Sequence, residues 1–295
     1  MNDLIADDCK PGHNPPVVTS RADTNDLKRT TMANITDKII VEKNDDIGHL
    51  ILNQPNKRNA ISLEMWQGIE SAAENFSDDN EIRVVVLSGA GDKAFSAGAD
   101  ISQFAENRTS KEATDHYNHT VKVALDALDH LNKPTIAMIQ GFCVGGGASV
   151  ATHCDLRIAA ENARFAIPPA KLGLAYRWED VYPLVQLIGP TFAREILYTG
   201  RLFTAAEALQ MGLVNRVVPT GELESYVADY ASTIAGNAPL TVHAIKQTVQ
   251  ETLKDPQDRN LPLIEELVEA CFASDDYREG QAAFMEKRKP NFKGR

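Results

Sequence analysis

Four consecutive large aliphatic residues, Val84-Val85-Val86-Leu87, set the tightest limit on how this chain can fold. Successive side chains of a strand point to opposite faces, so a strand apolar at every position must be covered on both. Such strands occur in parallel sheets with helices packed on each face. The surrounding sequence agrees. Lys38 to Lys43 ("KIIVEK") and Ile47 to Leu52 ("IGHLIL") read as two short strands around Asn44-Asp45-Asp46, a hairpin. After the polar loop "NQPNKRNAIS", Ser62 is placed to cap a helix with Glu64 in its first turn; Leu63, Trp66, Ile69, Ala73 and Phe76 share one face of it. A strand is expected over 82–87. Val121, Leu125, Leu128 and Leu131 mark another amphipathic helix, ended by Pro134. Thr135 to Ile139 and Leu156 to Ala159 are further strands, with Gly145-Gly146-Gly147 and a small-residue helix between them. This alternation predicts an α/β core with parallel strands. The C-terminal third reads as helical: Val242, Ile245, Val249 and Leu253 make one face, and Ile264, Leu267, Val268, Cys271 and Phe272 another.

Composition excludes several function classes. The 295 residues are 43% hydrophobic with a net charge of −11, so the basic face of a nucleic-acid binder is not expected. No apolar run approaches the roughly 20 residues of a membrane span. The four cysteines form no C-x-x-C pair, which leaves no zinc or redox motif and fits a reducing compartment, the cytoplasm. The first 31 residues carry five Asp and no sustained apolar run, unlike a secretory or mitochondrial leader. They are expected to be disordered, and Met32 offers an alternative start of translation.

Two small-residue turns, Ala97-Gly98-Ala99 and Gly145-Gly146-Gly147, each follow a buried strand, and the second opens a helix. A helix start presents unpaired N–H groups and the positive end of the dipole. Two such turns on neighbouring strands could aim two donors at one oxygen, as an oxyanion hole does. The competing reading is that the glycines only permit tight turns and close packing. There is neither a phosphate-binding G-x-x-x-x-G-K-[ST] loop nor a G-x-G-x-x-G through Gly141 to Gly147.

Five stretches together resemble one family in order and spacing: "QPNKRNAIS", "AFSAGADI", "IQGFCVGGGASVATHCDLRIAAENARFAIP", "ALQMGLVNRVV" and "SDDYREGQAAFMEKRKPNF". They are similar to the successive signatures of the crotonase (enoyl-CoA hydratase/isomerase) superfamily, from about residue 36 onward. The resemblance implies a disordered tail over 1–34, a spiral core of ββα turns over 35–225 and a helical region over 226–295 that trimerises, giving a homotrimer or a dimer of trimers. It implies an acyl-CoA thioester substrate and an acyl-CoA lyase activity, with no separate cofactor, because coenzyme A enters with the substrate. By position, the main-chain N–H groups of Ala99 and Gly146 polarise the thioester C=O and stabilise its enolate. Lys57, Arg58, Ala60, Ala97, Asp100 and Ile101 lie where this family holds CoA, and Phe284 and Lys287 resemble residues that reach it.

The chain departs from the hydratases where they carry two glutamates. Ser149 stands at the first position, three residues after Gly146, and Pro169 stands at the second. A serine hydroxyl is not a base near pH 7, and proline has neither a titratable group nor an N–H. Isomerases that use an Asp slightly later would place it at Arg177. The stretch "LGLAYRWED" is most similar to decarboxylating members, with Tyr176 near an acyl carboxylate. Loss of CO₂ from a malonyl-type CoA needs the oxyanion hole and no strong base. A hydratase using Glu179 or Asp180 is a second expectation, and a non-catalytic acyl-CoA binder a third. Against these, Tyr176 can simply pack with its hydroxyl at the pocket wall, Ser149 can bond its own helix, and Arg177 can pair with Glu179 or Asp180. His116 and His119 have helical metal-ligand spacing without a third ligand, so no metal is expected. His153, beside Cys154 and Asp155, reads as structural.

Overall fold

The computed structural model describes residues 30–31, 36–103 and 109–295. The expected disordered tail over 1–34 lies outside them, except that Thr30–Thr31 form a short strand, β1, against β2 (Ile39–Asn44). β2 pairs antiparallel with β3 (Ile47–Leu52) through the predicted hairpin, whose turn holds Asp45 at φ 52°. Helix α1 (Leu63–Asp78) then buries Trp66, Ile69, Ala73 and Phe76. Ser62 is its N-cap but accepts no capping bond through its side chain.

From here the chain repeats one unit three times: a strand of a large sheet, a strand of a small sheet, then helix. The first unit is β4 (Val84–Gly89), β5 (Ala94–Ser96) and α2 (Lys111–His130). The second is β6 (Thr135–Ile139), β7 (Phe142–Val144) and α3 (Gly146–Thr152). The third is β8 (Leu156–Ala160), β9 (Arg164–Ala166), a single turn α4 (Pro169–Leu172) and α5 (Trp178–Thr199). β10 (Phe203–Thr204), α6 (Ala205–Met211) and β11 (Arg216–Val218) complete the sheets. The large sheet runs β1-β2-β3-β4-β6-β8-β11 and is parallel from β3 onward; the small one runs β10-β9-β7-β5.

β4 is covered on both faces, as its sequence requires. Val85 and Leu87 pack with α1 and α2 residues such as Ile69, Phe76, Leu125 and Leu128. Val84 and Val86 pack on the other face with Ile136, Ile158 and helix α7 (Leu223–Ala235), through Leu223, Val227 and Ala231. Burying each such side chain is worth about 1.5–3 kcal/mol. The strand begins at Val84 rather than at residue 82, because Ile82 N–H turns back to Asp79 O at 3.1 Å. It runs on to Gly89 because Ser88 and Gly89 stay in register with Ile51 and Leu52. The boundary expected at residue 225 falls inside α7, whose buried face belongs to the core. Three more helices follow: α8 (Pro239–Thr252), α9 (Leu261–Ala273) and α10 (Asp275–Glu286).

Candidate active site

The two small-residue turns meet. Ile61 is bracketed by the 97–100 loop: its N–H bonds Gly98 O at 2.7 Å and its carbonyl accepts from Asp100 N–H at 2.9 Å. That is the bond pattern of a parallel bridge centred on Ala99, which turns Ala99's own N–H to the opposite side. Gly98 makes this possible at φ 100°. In the second turn, Gly145 takes φ 51° and ψ −119°, bonds Ala166 O at 2.9 Å and opens α3. Gly146 is the first helical residue, with no carbonyl four positions back in the helix to bond. The turns are in contact. A Cβ built on Gly146 would lie 3.4 Å from Ala99 N and 3.2 Å from Trp66 Cζ2, and one on Gly98 would lie 3.4 Å from Gly146 N. Among the described residues neither N–H makes a main-chain hydrogen bond, and the two turns meet where α3 starts, the positive end of its dipole.

They open into a cleft of about 840 Å³ between the two turns, α2, α3 and the start of α5. Of the residues singled out by sequence, Ala97, Ala99, Ile101, Gly146, Ser149, Pro169 and Tyr176 line it. Ser149 bonds its own helix, its hydroxyl reaching Gly145 O at 3.4 Å. Pro169 is buried at the first position of α4. Tyr176 is half-buried and packs against the main core. The expected ion pair of Arg177 with Glu179 or Asp180 is not formed. Asp180 instead accepts the main-chain N–H of Arg177 at 3.0 Å and closes the start of α5.

Lys57, Arg58 and Ala60 do not line the cleft, and Arg58 lines a smaller pocket with Pro55, Asn59 and Lys93. Arg58 O holds Ala97 N–H at 2.9 Å, and Lys57 Nζ lies 2.8 Å from Asp100 Oδ2. Burial opposes charge on Asp100, but hydrogen bonds from Lys57 and Ser102 prevail and hold its carboxyl below the usual range. Phe284 and Lys287, at the end of α10, do not line the cleft, and Phe284 is 59% exposed. His116 and His119 are both exposed on α2, and only His119 borders the cleft. Among the described residues no group of three or more His, Cys, Asp or Glu could hold a metal, and no helix is long and apolar enough to cross a membrane.

Three lining residues were given no place in the cleft by sequence reasoning although the structure puts them at its wall, among others. Trp66, taken for core, underlies Gly146. Asp129 and His153 face each other in the cleft, Oδ2 to Nε2, at 3.7 Å. Helical spacing held a partial signal, since Gly146, Ser149 and His153 recur on one face of α3.

A spiral of ββα units with a cleft beside two glycine turns defines the class of fold, and its chemistry is given by its relatives. Comparison with known proteins gives the family: residues 42–295 match the family model described as enoyl-CoA hydratase/isomerase, and the chain belongs to that family, with the crotonase fold and acyl-CoA as its substrate type. It is 36% identical over 256 residues to a crotonyl-CoA hydratase of Syntrophomonas wolfei, covering 87% of this chain and 98% of the relative. It is also 36% identical over 266 residues to a carnitinyl-CoA dehydratase of Salmonella paratyphi A, covering 88% and 100%. The crystal structure of an enoyl-CoA hydratase/carnithine racemase from Magnetospirillum magneticum superposes with a TM-score of 0.83 at 37% identity, covering 89% of this chain and 97% of that one.

Proposed function

We propose that the N–H groups of Ala99 and Gly146 form an oxyanion hole for a thioester enolate, and that the reaction is loss of CO₂ from a malonyl-type CoA. One observation carries the second half: Ser149 and Pro169, which line the cleft where hydratases of this family carry two glutamates, supply neither acid nor base. In the step, the bond from Cα to the carboxylate breaks and CO₂ leaves. The electron pair passes into the enolate, whose oxygen the two N–H groups hold. Solvent then protonates Cα, and the saturated acyl-CoA departs. Tyr176 positions the departing carboxylate from the cleft wall. The enzyme needs no resident cofactor, works in the cytoplasm and assembles as a homotrimer or a dimer of trimers.

A second reading is hydration of an enoyl-CoA, favoured by the names of the two relatives, a hydratase and a dehydratase. Asp180 is committed to the Arg177 main chain, which leaves Glu179 as the better-placed acid of the two considered. Purified protein with methylmalonyl-CoA, and separately with crotonyl-CoA, separates the readings by product mass. CO₂ loss that disappears in Tyr176→Phe supports the first. Rapid water addition to crotonyl-CoA sinks it in favour of the second. Tight thioester binding with no product from either would make this a binding protein.

A further inference from the structure

Asp129 and His153 close the far end of the cleft, and neither reading assigns them a role. His153 caps the C-terminus of α3, with its side chain only 8% exposed. Its Nδ1 lies 2.8 Å from the Ser149 carbonyl oxygen. A carbonyl carries no proton, so Nδ1 must donate, and Nε2 is the nitrogen left toward Asp129. Nε2 faces Asp129 Oδ2 from α2 at 3.7 Å. Burial pushes the Asp129 carboxyl upward, against the nearby cationic charge of His153 and His130.

The surrounding charges are occupied elsewhere. Asp126 on α2 pairs with Lys122, and Lys246 on α8 is bonded to Asp155. At 3.7 Å the pair makes no strong direct hydrogen bond, so both partners keep capacity toward the cleft. Trp66, Val121 and Leu125 contribute apolar lining to the same cleft. His153 is seven residues beyond Gly146, roughly 10 Å along the helix axis, and its side chain leans back by about one turn. The remaining gap suits an acyl chain of roughly four or five carbons, apolar first and polar at its end.

We propose that Asp129 and His153 are the acyl-recognition pair of this cleft and select a CoA thioester whose acyl chain carries a hydroxyl beyond its third carbon. The hydroxyl lies within reach of both the Asp129 carboxylate and His153 Nε2, each of which can hydrogen-bond it. One group thus satisfies both partners, which a methyl cannot do. An acyl carboxylate beyond the third carbon meets Asp129 as a like charge.

The inference rests on the acyl-CoA reading and is tested by binding alone. The probes are ketone analogues of butyryl-, 4-hydroxybutyryl- and succinyl-CoA, in which CH₂ replaces the thioester sulfur. Affinities are measured by titration calorimetry for the wild type, Asp129→Asn and His153→Gln. The wild type is expected to bind the hydroxylated analogue at least tenfold tighter than the butyryl one, with the succinyl analogue weakest. Each substitution should bring the hydroxyl-to-butyryl ratio within about threefold of unity. The ratio is the readout because general damage to the fold weakens both ligands alike. Equal affinities in the wild type, a preference that survives both substitutions, or tightest binding of the succinyl analogue overturns the pair's role. Failure of all three analogues to bind instead overturns the acyl-CoA reading beneath it.

Discussion

Gly146 occupies a position where three requirements converge, and they can be separated by substitution. Its N–H must point into the cleft, its Cα must pass Trp66, and its backbone must start a helix. Alanine keeps the N–H but adds a Cβ 3.2 Å from Trp66 Cζ2, a contact that a shift of a few tenths of an ångström relieves. Proline adds the same carbon and removes the donor, at a helix position that favours proline. The difference between Gly146→Ala and Gly146→Pro therefore isolates the hydrogen bond. Loss of one such donor costs about 3–4 kcal/mol, so kcat/KM for the proline variant should fall roughly 10²- to 10³-fold below the alanine variant. Circular dichroism confirms that both are folded, and equal turnover by the two would remove Gly146 from the mechanism. At this scale the sequence was informative where chemistry follows from residue type. Ser149 and Pro169 lack an acid wherever they point. Asp129 and His153 were not legible, because their meaning depends on how α2 packs beside α3.

At the scale of elements, α8 holds the back of the cleft in place. Lys246 bonds Asp155 Oδ2 at 2.9 Å and Lys133 O at 2.9 Å, His243 Nδ1 lies 3.1 Å from Asn132 O, and Gln250 donates to Asp129 O. These bonds clamp the end of α2 and the strand that follows it, and with them the backbone of Asp129. Lys246 is 6% exposed and Asp155 34%, so removing the cation strands a partly buried carboxylate. Lys246→Met should destabilise by about 2–3 kcal/mol, toward the low end for a buried pair because water still reaches Asp155. A lower urea midpoint with unchanged m-value is the expected signature, and an unchanged midpoint would show that the clamp is carried by the other bonds. The long helices and double-faced strands were readable because periodicity needs several turns or pleats to register. The small sheet was not. Its strands Ala94–Ser96, Phe142–Val144 and Arg164–Ala166 have three residues each and Phe203–Thr204 two, too few to alternate, and they are defined by partners far along the chain. Helix α5 escaped for another reason: it contains Pro183 and Pro190 and turns through Gly189 at φ 71°, which breaks any regular face.

The whole molecule carries a surface that a single chain in water does not explain. On α8, Ile245, Val249 and Leu253 recur every fourth residue and are 58%, 54% and 50% exposed. Leu261 and Phe272 on α9 add 58% and 60%. The periodicity that predicted these helices gathers their apolar residues on one face, and within one chain much of that face is exposed. Contiguous apolar surface of this kind marks a contact between molecules. The proposed homotrimer would cover it with copies of the same chain, and a closed ring would leave no stripe exposed. The protein should therefore sediment as a particle of three or six 32.3 kDa chains across the micromolar range. The double variant Ile245→Glu, Val249→Glu places two like charges in each contact and should shift the particle to single chains that keep their helical content. A wild type that sediments as one chain would overturn the assembly, and an oligomer unaffected by the two glutamates would move its interface away from α8.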